Sequence, residues 1–216
     1  MYELLIVVHV LGWVFWLGTD LGVFFAAKWS ERDELSVEAR LTVLQLGMLL
    51  DCAPRFAVPV VWGTGMLLAA RLGYQWLPTA AVLAIALLWI TATYLVIFGS
   101  QGSAAQRNAM RIQTLFYGLV IIFMGGGGAW LLARGEIPLW LALKGLGYTI
   151  IAVTGLWLER AFAPVGALFG ELAAQGASDA LNERIHRALR PVYPIVLGIY
   201  VGTLIAGISG LTKPVL

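Results

Sequence analysis

Charged residues and cysteine are scarce in this sequence. Lys, Arg, Asp and Glu make up 12% of the 216 residues, whereas about 25% is usual in a soluble domain. The composition therefore excludes an ordinary soluble domain. The single cysteine, Cys52, excludes an internal disulfide and any metal site built on paired cysteines. The net charge is only +2, with the basic residues between apolar runs, so nothing indicates binding to nucleic acid.

Long apolar runs dominate what is present. Hydrophobic residues make up 60% of the chain, and runs of about twenty of them recur along its length, which is typical of membrane-spanning helices. The first run has no basic n-region and no small-residue cleavage site, so we expect it to be retained. We predict an all-α transmembrane bundle that forms a single domain over residues 1–216. Its six spans are expected near 4–27, 54–72, 77–99, 112–133, 138–158 and 191–211.

The segments between the spans differ in character. Residues 31–50 are mixed, and the stretch "VEARLTVLQLGMLL" within them reads as an amphipathic helix that leads into the second span. Residues 159–190 read as a polar loop with a short surface helix. Residues 65–85 resemble residues 128–148, which would be a parallel duplication of a hairpin with Lys144 opposite Ala80. The alternative is that hydrophobic hairpins look alike in general.

The distribution of basic residues predicts the orientation. Six spans place both termini on one side of the membrane. The positive-inside rule then predicts periplasmic termini in a bacterial inner membrane, because ten Lys and Arg residues fall on the opposite side and three on the terminal side. The ten are Lys28, Arg32, Arg40, Arg55, Arg107, Arg111, Arg160, Arg184, Arg187 and Arg190, and the three are Arg71, Arg134 and Lys213.

Unusual residues recur at one depth near the outer face. His9, Lys144 and Met66 each lie about six residues from the outer end of a span, or ~9 Å deep. The run Gly125–Gly128 is at the same level, and each of its glycines forfeits ~1 kcal/mol of helix propensity. Taken singly, the histidine could bond a neighbouring helix, the methionine could be core, and glycines such as the Gly18/Gly22 and Gly198/Gly202 pairs usually serve close packing.

A non-covalent haem b would satisfy these residues together, and no CxxCH motif for covalent attachment occurs. His9 would ligate the iron, and Lys144 would bind a propionate or, like Met66, supply the sixth ligand. The four glycines, Gly125, Gly126, Gly127 and Gly128, would offer bare backbone to the flat ring. The aromatic side chains expected to line it are Trp13, Trp16 and Tyr148.

A second set of polar residues is expected at the inner boundary. Asp20 is predicted to pair with an arginine there, and a proton relay is the alternative. His186 falls on the opposite side of the bilayer from His9, in a segment typical of a solvated helix face. It is therefore not expected to ligate the same haem.

Three stretches resemble the HemJ and CopD-like superfamily of haem-binding membrane proteins. They are "VVHVLGWVFWLGTDLGVFF" near the start, "PLWLALKGLGYTIIAV" later on, and the closing "NERIHRALRPVYPIVLGIYVG". The resemblance implies a haem-binding bundle in which His9 is the axial histidine and Lys144 the helix lysine. It also implies an activity like the oxidation of protoporphyrinogen. The chain departs from that pattern at Ala27 and Lys28, where the family has an arginine late in the first helix.

These observations favour a membrane haem b protein that transfers electrons. Its enzymatic form would oxidise a porphyrinogen-like reduced substrate and pass the electrons to quinone. An alternative is a non-catalytic accessory subunit of an oligomer or a larger membrane complex, in which the small-residue faces and nine tryptophans serve assembly. A small-molecule transporter is a third hypothesis, although no pair of broken helices with facing carboxylates supports it.

Overall fold

The computed structural model of the protein describes residues 2–213, and within them it contains helices and no strands. Six helices are long and apolar enough to cross a membrane, which confirms the predicted all-α, six-span class. The elements are α1 (Tyr2–Ser30), α2 (Val37–Leu50), α3 (Cys52–Arg71), α4 (Thr79–Phe98), α5 (Ala104–Val120), a π segment (Ile121–Gly127), α6 (Gly128–Ala133), α7 (Leu139–Gln175), α8 (Asp179–Leu189) and α9 (Val192–Thr212).

The spanning helices form a ring in chain order. α1 packs against α3, α3 against α4, α4 against α5, the π segment against α7, and α7 against α9. Contacts between α9 and α1 close the ring. All six spans contribute to one buried apolar cluster, whose members include Trp16, Val58, Trp89, Phe116, Tyr148 and Ile199. The basic side of this ring is the one that carries the ten Lys and Arg residues named above. The terminal side lies opposite it.

A second apolar cluster lies on the basic side. α7 has 37 residues and is therefore about 55 Å long, well beyond the ~30 Å hydrocarbon core of a bilayer. Its projecting half packs against α8 and the start of α9. The buried residues of this second cluster are Val165, Leu168, Phe169, Leu172, Leu181, Ile185, Leu189, Val192 and Val196.

This arrangement corrects the prediction for residues 159–190. The stretch 159–175 is not a polar loop but the second half of α7. Its apolar positions at 165, 168, 169 and 172 follow the helical spacing of one buried face, and Pro164 does not end the helix. The predicted short surface helix is confirmed as α8, and the helix expected within 31–50 is confirmed as α2.

A fully buried arginine joins the elements of the basic side. Arg40 on α2 is 0% exposed. Its Nε donates to the Ser30 carbonyl at the end of α1, and its Nη1 donates to Asn182 Oδ1 on α8, both at 2.8 Å. Asp33 Oδ1 is 3.8 Å from the same Nη1. Hydropathy and spacing gave no sign of this contact, because its partners lie far apart in the chain.

The two turns on the terminal side have the same construction. After α3, Gly73 (φ +94°) allows Tyr74 N to bond Ala69 O. After α6, Gly135 (φ +69°) allows Glu136 N to bond Leu131 O. Glycine is favoured at both positions because other residues rarely adopt a positive φ.

The hairpin duplication stays a prediction. Aligning the two copies at the starts of α4 and α7 changes which of their residues correspond. A proline caps the N-terminus of each helix that follows these turns, Pro78 for α4 and Pro138 for α7. Counted from these prolines, Lys144 corresponds to Ala84 rather than to the predicted Ala80.

Candidate functional site on the terminal side

His9 on α1 is held by a threonine of α3. His9 Nδ1 lies 2.9 Å from Thr64 Oγ1, and the Thr64 hydroxyl donates its proton to Val60 O at 2.7 Å. Since a hydroxyl has a single proton, Thr64 Oγ1 accepts the bond from His9 Nδ1–H. The neutral imidazole therefore keeps its lone pair on Nε2. That nitrogen has no hydrogen-bond partner in the part of the chain described.

Glycines let α1 and α3 approach closely around this imidazole. A Cβ added at Gly65 would lie 3.2 Å from His9 Cε1, and one added at Gly12 would lie 2.9 Å from Val61 Cγ2. The Cε1–Nδ1 edge of the ring consequently lies against bare α3 backbone at Gly65. Its position is fixed by packing as well as by the bond to Thr64.

Lys144 and Trp13 both insert against small residues of α9. Lys144 Nζ donates to Ala206 O at 3.0 Å, and a Cβ added at Gly210 would lie 2.5 Å from that nitrogen. Trp13 Nε1 donates to Thr203 O at 3.2 Å, and its ring lies over Gly207.

The two candidate polar groups of the site are neighbours. Within residues 2–213 no carboxylate is close enough to Lys144 to form an ion pair. Trp13, one turn after His9 on α1, packs on Gly207 of α9, next to the Ala206 carbonyl that Lys144 binds. An imidazole with a free nitrogen and an ammonium without a counter-ion therefore lie near each other on the terminal side.

Trp16 and Tyr148, which were expected to line a ring, belong to the packed core. Their rings meet edge to face at 6.0 Å, and Trp16 is 3% exposed. The Tyr148 hydroxyl donates to Val58 O on α3. These contacts place both side chains one or two turns below His9 and Lys144, where they tie α1, α3 and α7 together.

The structure does not bring Met66 to His9. Met66 lies two residues beyond Thr64, or about 200° further around α3. It shares a helix face with Trp62 and Gly63, and that face packs against Trp89 and Ala86 of α4. A sixth ligand from this position is therefore not supported by the geometry.

The glycine run has two roles. Residues 121–127 form a π-helix, a rare geometry that often marks functional sites. A Cβ at Gly125 would lie 2.8 Å from Thr149 Oγ1, so that glycine serves close packing against α7. Gly126 and Gly128, by contrast, face open space. Only part of the glycine run therefore exposes the bare backbone that was expected for a flat ring.

The prediction for Asp20 is wrong. Asp20 is 8% exposed, and in residues 2–213 it forms no ion pair. The arginine nearest in depth, Arg55, pairs with Asp51 at 2.5 Å. These two residues are one helical turn apart, and the short local separation favours their pairing. The Asp20 backbone carbonyl accepts a bond from the Tyr200 hydroxyl at 3.0 Å.

His186 lies at the far end of the molecule from His9. Its ring contacts Asp33 Oδ2 at 3.1 Å and Glu31 Oε2 at 3.4 Å, and Glu31 is 22 residues, or about 33 Å, along α1 from His9. α8 is polar and lies outside the spanning segments. Partial burial lowers the pKa of His186, but the hydrogen bonds and negative charges of Asp33 and Glu31 outweigh that effect and raise it.

No family model, curated protein or solved structure matches this chain. The resemblance to the HemJ and CopD-like superfamily therefore depends on the quoted motifs alone. Across the residues described, no group of three or more His, Cys, Asp or Glu side chains could hold a metal ion.

Proposed function

We propose that the protein is an integral membrane b-type haem protein that transfers electrons, with His9 as an iron ligand. The observation that carries the proposal is the assigned tautomer of His9. Metal-bound histidines commonly donate one ring N–H to a neighbouring group and bind the metal through the other nitrogen. Thr64 accepts that bond from Nδ1, which leaves Nε2 free.

The other residues of the site fit a porphyrin better than a bare ion. A bare ion needs several protein ligands, whereas a haem needs one or two because the porphyrin supplies the rest. Lys144 has an ammonium without a carboxylate partner in the described residues and would hold a propionate. An added Cβ at Gly126 or Gly128 would meet nothing within 4 Å, so these two glycines present bare backbone against which a flat group would lie in this proposal.

Each protein group has a defined task in this proposal. A bound haem would supply one-electron redox chemistry. Thr64 fixes the tautomer and orientation of His9, and Lys144 neutralises negative charge at the edge of the site. The core contact between Trp16 and Tyr148 holds α1 and α7 at a fixed separation.

The proposal extends to the cellular setting and the reaction. The basic side faces the cytoplasm of a bacterium, and the site lies near the periplasmic face of the inner membrane. The strongest enzymatic form is oxidation of a porphyrinogen-like reduced substrate, with quinone as acceptor within the bilayer. The resemblance stated above is the support for that reaction.

The experiment is the visible spectrum of the protein purified from haem-replete cells, oxidised and then reduced. We expect a Soret band and reduced b-type bands, which His9→Ala abolishes or grossly alters. The matched control is His186→Ala, which removes the other imidazole of the chain and leaves the spectrum unchanged. A protein without haem absorption would overturn the proposal and favour an accessory subunit. If the bands survive His9→Ala, the protein binds haem but His9 is not the iron ligand.

A further inference from the structure

Asp20 is a buried carboxyl group without a counter-charge. It lies ten residues before the end of α1 at Ser30, about 15 Å from that end. It is 8% exposed, and its Oδ2 has no hydrogen-bond partner in the described residues. An ionised carboxylate without a partner is strongly disfavoured at such a place, whereas the neutral acid is tolerated.

The groups around Asp20 leave this charge unbalanced. Asp51 and Arg55, at the start of α3, are the side-chain charges that act on it. Arg55 is already neutralised by Asp51 at 2.5 Å. From α9, Tyr200 offers its hydroxyl to the Asp20 backbone rather than to the carboxyl.

Two more elements face the ion pair rather than Asp20. Glu159 on α7 and Tyr117 on α5 both interact with Arg55. Glu159 adds a further negative charge to the set, and Tyr117 adds a neutral phenol. Within residues 2–213, no element packed around Asp20 therefore brings it an unneutralised cation.

We propose that Asp20 is a proton-binding site that exchanges with water on the basic side through Asp51 and Arg55. The Arg55 and Asp51 side chains are 38% and 29% exposed and lie at the start of α3, so this ion pair is the route by which a proton from the basic side would reach the buried acid. A proton fits this site better than a metal cation, because no group of three potential ligands exists among residues 2–213. The site does not depend on the proposed haem.

The test is infrared spectroscopy of the purified full-length protein, with aspartate ¹³C-labelled at its side-chain carboxyl. The chain has four aspartates. Two of them, Asp33 and Asp51, lie within ion-pair distance of an arginine. We expect one isotope-shifted C=O band of a protonated acid at neutral pH, and we expect that band to move when H₂O is replaced by D₂O. This measurement uses the parent protein, so a variant that fails to fold does not affect it.

Three variants assign the band. Asp20→Asn should remove it, and Asp179→Asn at the start of α8 should leave it intact. Asp51→Asn frees Arg55 to pair with Asp20, so the band should disappear at a lower pH than in the parent protein. Absence of a protonated aspartate in the parent, or a band that persists in Asp20→Asn, would overturn the proton site. A band that never shifts in D₂O would overturn the exchange with water.

Discussion

At the scale of single residues, the candidate site depends on which nitrogen of His9 carries the proton. A neutral imidazole has two tautomers, and only the one protonated at Nδ1 leaves the Nε2 lone pair available. The Thr64 hydroxyl removes the ambiguity because its own proton is committed to Val60 O. Thr64 is therefore a positioning residue for the proposed ligand.

The first prediction concerns that hydroxyl. Thr64→Val keeps the side-chain shape but leaves His9 Nδ1–H without an acceptor. We expect haem affinity to fall by about tenfold or more, as is usual when a supporting contact of a metal ligand is lost, and we expect the midpoint potential to shift. The measurements are haem titration of the apoprotein and potentiometry.

Two variants serve as controls for this experiment. Thr64→Ser retains the hydroxyl and should restore parent-like values. Thr154→Val removes another intrahelical threonine bond, from Thr154 to Ile150 O, at a position away from His9. If Thr64→Val and Thr154→Val behave alike, Thr64 has no special role toward His9.

The second prediction concerns the charge of Lys144. Lys144→Met conserves most of the volume against Gly210 and removes the ammonium. We expect the fold to persist and haem retention to weaken by about 1–3 kcal/mol, the usual contribution of a charged hydrogen bond. Lys213→Met is the control, because it removes a positive charge from the same side of the bundle. Equal haem content in both variants would show that Lys144 does not contact a propionate.

At the scale of elements, glycines decide how closely the helices approach. α7 and α9 cross with their backbones in contact. A Cβ at Gly147 would lie 2.5 Å from Gly202 O, and one at Gly202 would lie 2.7 Å from Gly147 O. Gly198 faces Thr154 in the same interface, so the packing role expected for Gly198/Gly202 is confirmed. For Gly18/Gly22 it is confirmed only at Gly22, which approaches Leu50, and is wrong at Gly18, where an added Cβ meets nothing within 4 Å.

The third prediction tests this crossing. Gly202→Ala places a methyl group against backbone that cannot move aside, so we expect it to destabilise the bundle by about 1–3 kcal/mol. The melting temperature of the purified protein in detergent should fall accordingly. Gly18→Ala is the matched control, because Gly18 is also inside a spanning helix and a Cβ there meets nothing within 4 Å. Similar melting temperatures for the two variants would contradict the close crossing.

At the scale of the whole molecule, the protein has two layers with separate cores. One is the ring of spans around Trp16 and Trp89, and the other is the helical layer of the basic side. Arg40 belongs to that second layer and fixes the end of α1 to α2 and α8. The layer is assembled from parts of the chain that lie before and after four of the spans, those of α3, α4, α5–α6 and α7.

The fourth prediction concerns Arg40. Arg40→Met leaves Ser30 O and Asn182 Oδ1 without their charged donor, so we expect a loss of about 3 kcal/mol of stability. Limited proteolysis should then cut near the α7–α8 junction, while the spans stay protected. Arg187→Met is the control, since within the described residues Arg187 pairs with Glu183 on the exposed face of α8 and not with another element. A proteolysis pattern like that of the parent protein would contradict the role given to Arg40.

The fifth prediction concerns orientation. A reporter that is active only in the cytoplasm should be silent when fused after the last residue and active when inserted near Ala177, at the junction of α7 and α8. The physical ground is the excess of basic residues on the α8 side. The reverse pattern would place His9 near the cytoplasmic face.

The sequence by itself determined the six spans, the all-α class and the presence of α2 and α8. These features depend on hydropathy and periodicity within about twenty consecutive residues, so local chemistry is sufficient for them. The π geometry of 121–127 and the length of α7 were not predicted. In both places contacts with neighbouring helices, at Thr149 and in the second apolar cluster, override what the local composition indicates.

Only the tertiary structure decided which polar groups meet. His9 and Thr64 are 55 residues apart, and Arg40 and Asn182 are 142 apart, so no local pattern encodes either pair. Asp51 and Arg55 are the exception, because they are four residues apart and pair locally, which leaves Asp20 without that arginine. A membrane interior penalises each unpaired polar group, yet it does not specify the partner. That choice depends on the angles and distances at which the helices pack.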